Sequence, residues 1–301
     1  MLSVCLALAA LAPPAARGPP LSPLSPRAAS SLVSLSPFSP RAPPPSLSLR
    51  LPPPRPLLRL ASPRTAPSPS LALSPPPARP LDTDALLRYG AALAVQFGLL
   101  SALFLALDAA VSPLPPPLLL LLFLALSLRS RLFSPLDNRR PDRKAALRGE
   151  PTAGFGDRRM PAWTPPGVTF PIMWILIVAP LRAYSSLLVY EAVGGHLFDP
   201  HLLALVLHLC IGDTWNTINN VERRLGAAVP GVACVWASVL FAASRYYEAS
   251  PLAGVLLGVT AVWITVAGAL VADTWRINDE VESEPLYPYK SASVQTRFWF
   301  E

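Results

Sequence analysis

The sequence predicts an all-α membrane protein: a five-transmembrane-helix bundle, with apolar length left over for one extra N-terminal span. Three observations carry this. Hydrophobic residues make up 52% of the chain and charged residues 14%, and mean hydropathy is +0.41. A soluble domain is usually about 25% charged. From Leu86 onward, apolar runs of about 20 residues recur, the length a helix needs to cross a hydrocarbon core of roughly 30 Å. The runs are parted by short Pro-, Gly- or charge-bearing connections, which make sequential helices antiparallel neighbours.

Residues 1–81 stand apart. They are rich in Pro, Ser, Arg, Leu and Ala, hold eight Arg and no acid, and show neither helical nor strand periodicity. We read them as a disordered targeting segment. An acid-poor, Ser- and Arg-containing N-terminus is similar to an organelle transit peptide. Met1–Ala12 is apolar enough for a short signal-like core, as in bipartite targeting to plastids of secondary origin; a low-complexity tail is the alternative. The prolines prevent the amphipathic basic helix of a mitochondrial presequence, so a plastid membrane is expected, with a mitochondrial or other organelle membrane as the alternative. Without those eight arginines the net charge falls from +7 to −1, which excludes a nucleic-acid-binding reading. Cys5, Cys210 and Cys234 are isolated, with no CxxC and no metal spacing, so no metal site is expected.

Residues 85–133 hold two apolar runs, Leu86–Val111 and Leu118–Leu128, parted by Pro113, Pro115, Pro116 and Pro117. One supplies the first span; the other is an extra span or an interfacial piece. Residues 134–160 form a basic loop. Together with Arg129 and Arg131 it carries the strongest basic excess beside any span, which places it on the side from which the protein inserts. Four spans follow: Phe170–Tyr190, His201–Val221, Gly226–Tyr247 and Leu252–Ile277. Small residues such as Gly254, Gly258 and Gly268 suit close helix approach. Residues 279–301 read as a polar tail. The loop 129–160, the Glu222-Arg223-Arg224 turn and the C-terminus are expected on one side.

The stretch Pro161–Trp174, Pro-Ala-Trp-Thr-Pro-Pro-Gly-Val-Thr-Phe-Pro-Ile-Met-Trp, opens the second of the five helices. Pro165-Pro166 can begin a helix but not sit inside one. Trp163 would lie at the water–lipid boundary, and Trp174 about a turn inside. An ordinary membrane-entry loop with an aromatic belt would look similar. Pro161, Trp163, Pro165, Pro166 and Trp174, however, match the P-x-W-x-P-P…W signature of the TspO/MBR family, the tryptophan-rich sensory proteins and the translocator protein, which this chain resembles to about Asn278. Trp263 matches the Trp of the family's P-Y-x-x-W in the fifth helix, with Val259-Thr260 in place of Pro-Tyr. The third helix's L-N-x-x-W is Ile211-Gly212-Asp213-Thr214-Trp215 here, and His208 stands at the usual Gln. The family's fifth-helix Asn is also lost, near Val271-Ala272. The resemblance implies a divergent, plastid-type member with a TspO/MBR bundle. It also implies a cavity among helices one, two and five for a porphyrin, tetrapyrrole or similar planar hydrophobic ligand, with no obligatory cofactor. Trp174 and Trp263 would stack on that ligand, Trp163 would cover the mouth, and His208 and Trp215 are further ligand-binding candidates.

Polar groups inside spans are costly and mark function. Asp213, Asn216, Thr217 and Asn220 fall on one face of the third helix, while His208 and Trp215 share another. Asp273-Thr274-Trp275 repeats Asp213-Thr214-Trp215. Arg182 lies roughly 18 Å along its helix from Phe170, and we expect it to pair with Asp213 or, less favourably, Asp273. The function expected is that of a carrier, sensor or regulator in a lipid membrane, with a hydrophobic small molecule and a second copy of the chain as candidate partners. Enzyme-like oxidative porphyrin degradation and a ligand-free assembly role are the alternatives; no catalytic residue stands out.

Overall fold

The computed structural model describes residues 79–111, 113–139, 158–282, 284–291 and 294–301. The targeting segment up to residue 78, with Cys5, and loop residues 140–157 lie outside the described residues. Both N-terminal apolar runs are helices: α1 is Thr83–Ala110, and α2 is Pro116–Arg129, continued by a 3-10 turn over Ser130–Phe133. Counting back from the signature, α2 is the first helix of the expected bundle and α1 is the extra one. The remaining helices are α3, Thr169–Ala192; α4, Pro200–Asn216, running on to Val221; α5, Leu225–Ala249; and α6, Pro251–Glu282. Five of these, all but α4, are individually long and apolar enough to cross a membrane.

The starts follow from local chemistry. Asp82 accepts from the Ala85 N–H at 3.1 Å, and Asp199 accepts from the His201 N–H at 2.8 Å; each satisfies a free N–H of the first turn. Pro116, Pro200 and Pro251 stand at first helical positions, where a missing N–H costs nothing. The α3–α4 connection turns at Gly194 and Gly195, both at φ +81°, which a side chain would resist.

The helices pack α2 on α3, α3 on α6, α6 on α5, α5 on α4 and α4 on α1. Phe104 of α1 meets Phe123 of α2 edge to face at 5.9 Å, tying the extra helix back to the second. Asp108 at the end of α1 accepts from the Leu197 and Phe198 N–H groups, both at 2.8 Å. Gly231 of α5 lets Trp215 of α4 lie against the backbone, since a Cβ there would stand 2.9 Å from its ring. Val95, Leu99 and Leu105 of α1, Ile175, Leu176 and Ile177 of α3 and Val255, Val259 and Val262 of α6 are exposed, as lipid-facing side chains are.

One end of the bundle gathers the segments expected there. Leu136 bridges Phe298, Asp137 donates its N–H to the Arg297 carbonyl at 2.9 Å, and Arg224 donates to the Tyr289 carbonyl at 2.6 Å. The tail beyond α6 packs against the bundle. The pairing also begins before Asp82: Leu81 bridges Tyr289, and Lys290 donates its N–H to the Pro80 carbonyl at 2.9 Å. Arg224 is the hub. It reaches Glu222 at 3.0 Å and Asp82 at 2.9 Å, while the Tyr89 hydroxyl also donates to Glu222. Burial pushes the Glu222 carboxyl above its ordinary range.

Candidate functional site

The signature segment enters α3 from the loop end. Trp163 donates its indole N–H to Asp273 of α6 at 2.8 Å. Arg159 and Asn278 exchange two hydrogen bonds, at 3.1 and 2.9 Å, and Arg158 donates to the Asn219 carbonyl at 2.7 Å. Residues 158–163 are therefore strapped across the ends of α4 and α6. Replacing Trp163 by Phe removes one charge-assisted bond, so opening should become easier by about 1 kcal/mol, roughly fivefold. Tryptic cleavage after Arg159 in detergent should accelerate accordingly; an unchanged rate would show that Trp163 does not hold the strap.

Past Pro171 the helix widens. Ile172–Val178 is π-helical, a geometry that recurs at functional sites. Trp174 lies in this segment, half-buried, and Phe170 just before it meets Trp263 of α6 edge to face at 5.8 Å. Trp263 is 8% exposed, and its indole N–H has no acceptor among the described residues. The structure thus places Trp174 and Trp263 on two packed helices, with Phe170 against Trp263 as an aromatic partner that the sequence reading did not single out.

Arg182 follows two turns later and is 5% exposed. Its guanidinium lies 5.7 Å from the centre of the Trp174 ring. The expected ion pair is absent: neither Asp213 nor Asp273 is within salt-bridge distance of Arg182. Its Nη2 instead meets His208 Nε2 at 2.6 Å. Arg can only donate, so Nε2 accepts, and the proton of a neutral His208 sits on Nδ1. That Nδ1–H donates to Ser238 Oγ at 2.9 Å, and Ser238 donates on to the Val235 carbonyl at 2.8 Å. The hydrogen-bond order along Arg182, His208 and Ser238 is fixed by these directions.

Asp213 is taken elsewhere. Its Oδ2 accepts from Gln96 of α1 at 2.8 Å and from Ser130 at 2.6 Å. The polar face of α4 continues with Asn216, which accepts from Arg131 at 3.0 Å and from Asn220 at 3.1 Å. This face meets α1 and the turn after α2, not α3. Gln96 interrupts the apolar run of α1, and its partner depends on that extra helix.

Asp273 binds Arg276 at 2.8 Å as well as Trp163, at the loop end. Trp215 is committed to packing on α5, its N–H donating to the Ala228 carbonyl at 3.1 Å. The repeated Asp-Thr-Trp triplets behave alike locally: Thr214 and Thr274 bond the carbonyl four residues back, and Trp275, like Trp215, donates to a backbone carbonyl. Cys210 and Cys234 are buried. Together α3 and α6 hold the aromatic side chains Phe170, Trp174 and Trp263 and two buried N–H groups, of Arg182 Nε and Trp263, without acceptors among the described residues.

A six-helix apolar bundle with a strapped entry and polar groups buried between its helices is a polytopic membrane protein. Residues 145–276 match the model of the TspO/MBR family, so that stretch of the chain is similar to this family. The chain is also 24% identical over 128 residues to Protein CrtK of Rhodobacter capsulatus, a match covering 42% of this chain and 80% of that one.

Proposed function

We propose that this protein binds a porphyrin, tetrapyrrole or similar planar hydrophobic molecule against α3 and α6 and acts as its carrier, sensor or regulator in an organelle membrane, that of a plastid. The observation that carries this reading is the placement of Trp174 and Trp263 on two packed helices, with Phe170 edge-on to Trp263. A flat π-system stacked on Trp174 and Trp263 would gain two indole faces. The acid-free, proline-rich residues 1–81 support the plastid part.

The test is titration of the purified full chain in detergent with protoporphyrin, followed by absorbance and by quenching of tryptophan fluorescence. Trp174→Ala and Trp263→Ala should each weaken binding by about 1 kcal/mol, roughly fivefold, and the double variant more. Unchanged affinity in the double variant would move the site elsewhere. Absence of binding in the parent chain would end the reading, and bleaching of the bound porphyrin would convert it to an enzymatic one.

A further inference from the structure

We propose that Arg182 is the receptor for a negatively charged group of the ligand, a carboxylate, so that the molecule bound is an apolar acid and not a neutral lipid-like compound. The proposal rests on the reading above for where the ligand's apolar body lies. It stands on what Arg182 lacks. A guanidinium carries five N–H donors in a planar fork. Among the described residues this one meets a single acceptor, His208 Nε2, which is neutral. Its Nε–H is buried without any acceptor. No carboxylate pairs with it: Asp213 is engaged by Gln96 and Ser130, and Asp273 by Trp163 and Arg276.

An ionised side chain in the middle of a span is normally held by an opposite charge. Here no carboxylate among the described residues stands at ion-pair distance, and the neighbours that touch the cation are neutral. His208, its proton directed away to Ser238, can only accept from Arg182 and so holds the guanidinium in place. Trp174 covers it at 5.7 Å. Trp263 on α6 adds a second buried N–H with no acceptor. The two donors without acceptors lie on α3 and α6, the packed helices that carry Trp174 and Trp263. What the region lacks is an acceptor with negative charge, and a carboxylate supplies two oxygens in the geometry a guanidinium fork matches.

The test compares protoporphyrin IX with its dimethyl ester on the full chain in detergent. These share the ring and differ in the carboxylates. The parent chain should bind the acid at least tenfold more tightly. Arg182→Gln should abolish that preference and keep the ester's affinity, and Arg182→Lys should retain part of it. Equal binding of acid and ester by the parent chain would overturn the proposal and leave the planar-ligand reading intact. If neither porphyrin binds, that reading fails, and the anion receptor is judged by palmitate against methyl palmitate, read as a shift in the chain's thermal unfolding. A larger shift with palmitate that disappears in Arg182→Gln supports the receptor; equal shifts, or none, overturn it.

Discussion

Replacing Arg224 by methionine should destabilise the protein by about 3–5 kcal/mol and release its C-terminal tail. The side chain is 3% exposed and joins three segments: the start of α1 through Asp82, the α4–α5 turn through Glu222, and the tail through the Tyr289 carbonyl, with Tyr89 of α1 closing the ring on Glu222. Methionine fills the space but leaves two carboxylates of low exposure without their cation, and stranding a buried charge is what makes such losses large. The effect should depend on pH in a known direction. Burial raises the folded-state pKa of Glu222 above its unfolded value, so its contribution to stability is full below the ordinary carboxylate range and is lost as pH rises through the raised value. Without Arg224 that loss deepens. The gap in unfolding temperature between variant and parent should therefore widen as pH rises from about 4.5, and adding Glu222→Gln should narrow it. A pH-independent gap, or a tail no more sensitive to protease than in the parent, would show that the hub does not hold this end together.

The second large effect is expected at His208. His208→Leu removes the one acceptor that Arg182 has among the described residues and should cost about 1.5–3 kcal/mol, the range for a hydrogen bond to a charged group. Adding Arg182→Leu should recover much of this, because an apolar pair of similar volume leaves no buried charge to satisfy. Ser238 keeps its bond to the Val235 carbonyl in both variants and so should not confuse the comparison. Thermal unfolding in detergent of both single variants and the double gives the coupling directly. Simple addition of the two single effects would mean that Arg182 does not depend on His208.

These two sites differ in how far they could be read in advance. For Arg182, sequence alone poses the problem and points to the wrong partner. Its depth in an apolar run demanded a partner, and Asp213 on the next antiparallel helix was at comparable depth. Depth is set by chain length, but the rotation of α4 is not. In the fold, the Asp213 face turns toward α1 and the turn after α2, and the His208 face turns toward α3 and α5. For Arg224, the sequence showed only a short charged turn. Its partners lie 142 residues earlier and 65 later, and nothing local pointed to them.

By itself the sequence determined the apolar lengths, hence the helices; the short connections, hence their antiparallel order; and the Pro161–Trp174 signature, hence the likeness to the TspO/MBR family. It also fixed which polar residues of α4 share a face, because helical spacing is a local property. Tertiary structure alone decided that both N-terminal runs are helices of the bundle, that α1 supplies Gln96 to Asp213, that the tail packs onto the loop end, and that Arg182 rests on a neutral histidine. Each of these depends on how whole helices are rotated and placed against one another, and that is set by packing summed over many side chains, which no single segment encodes.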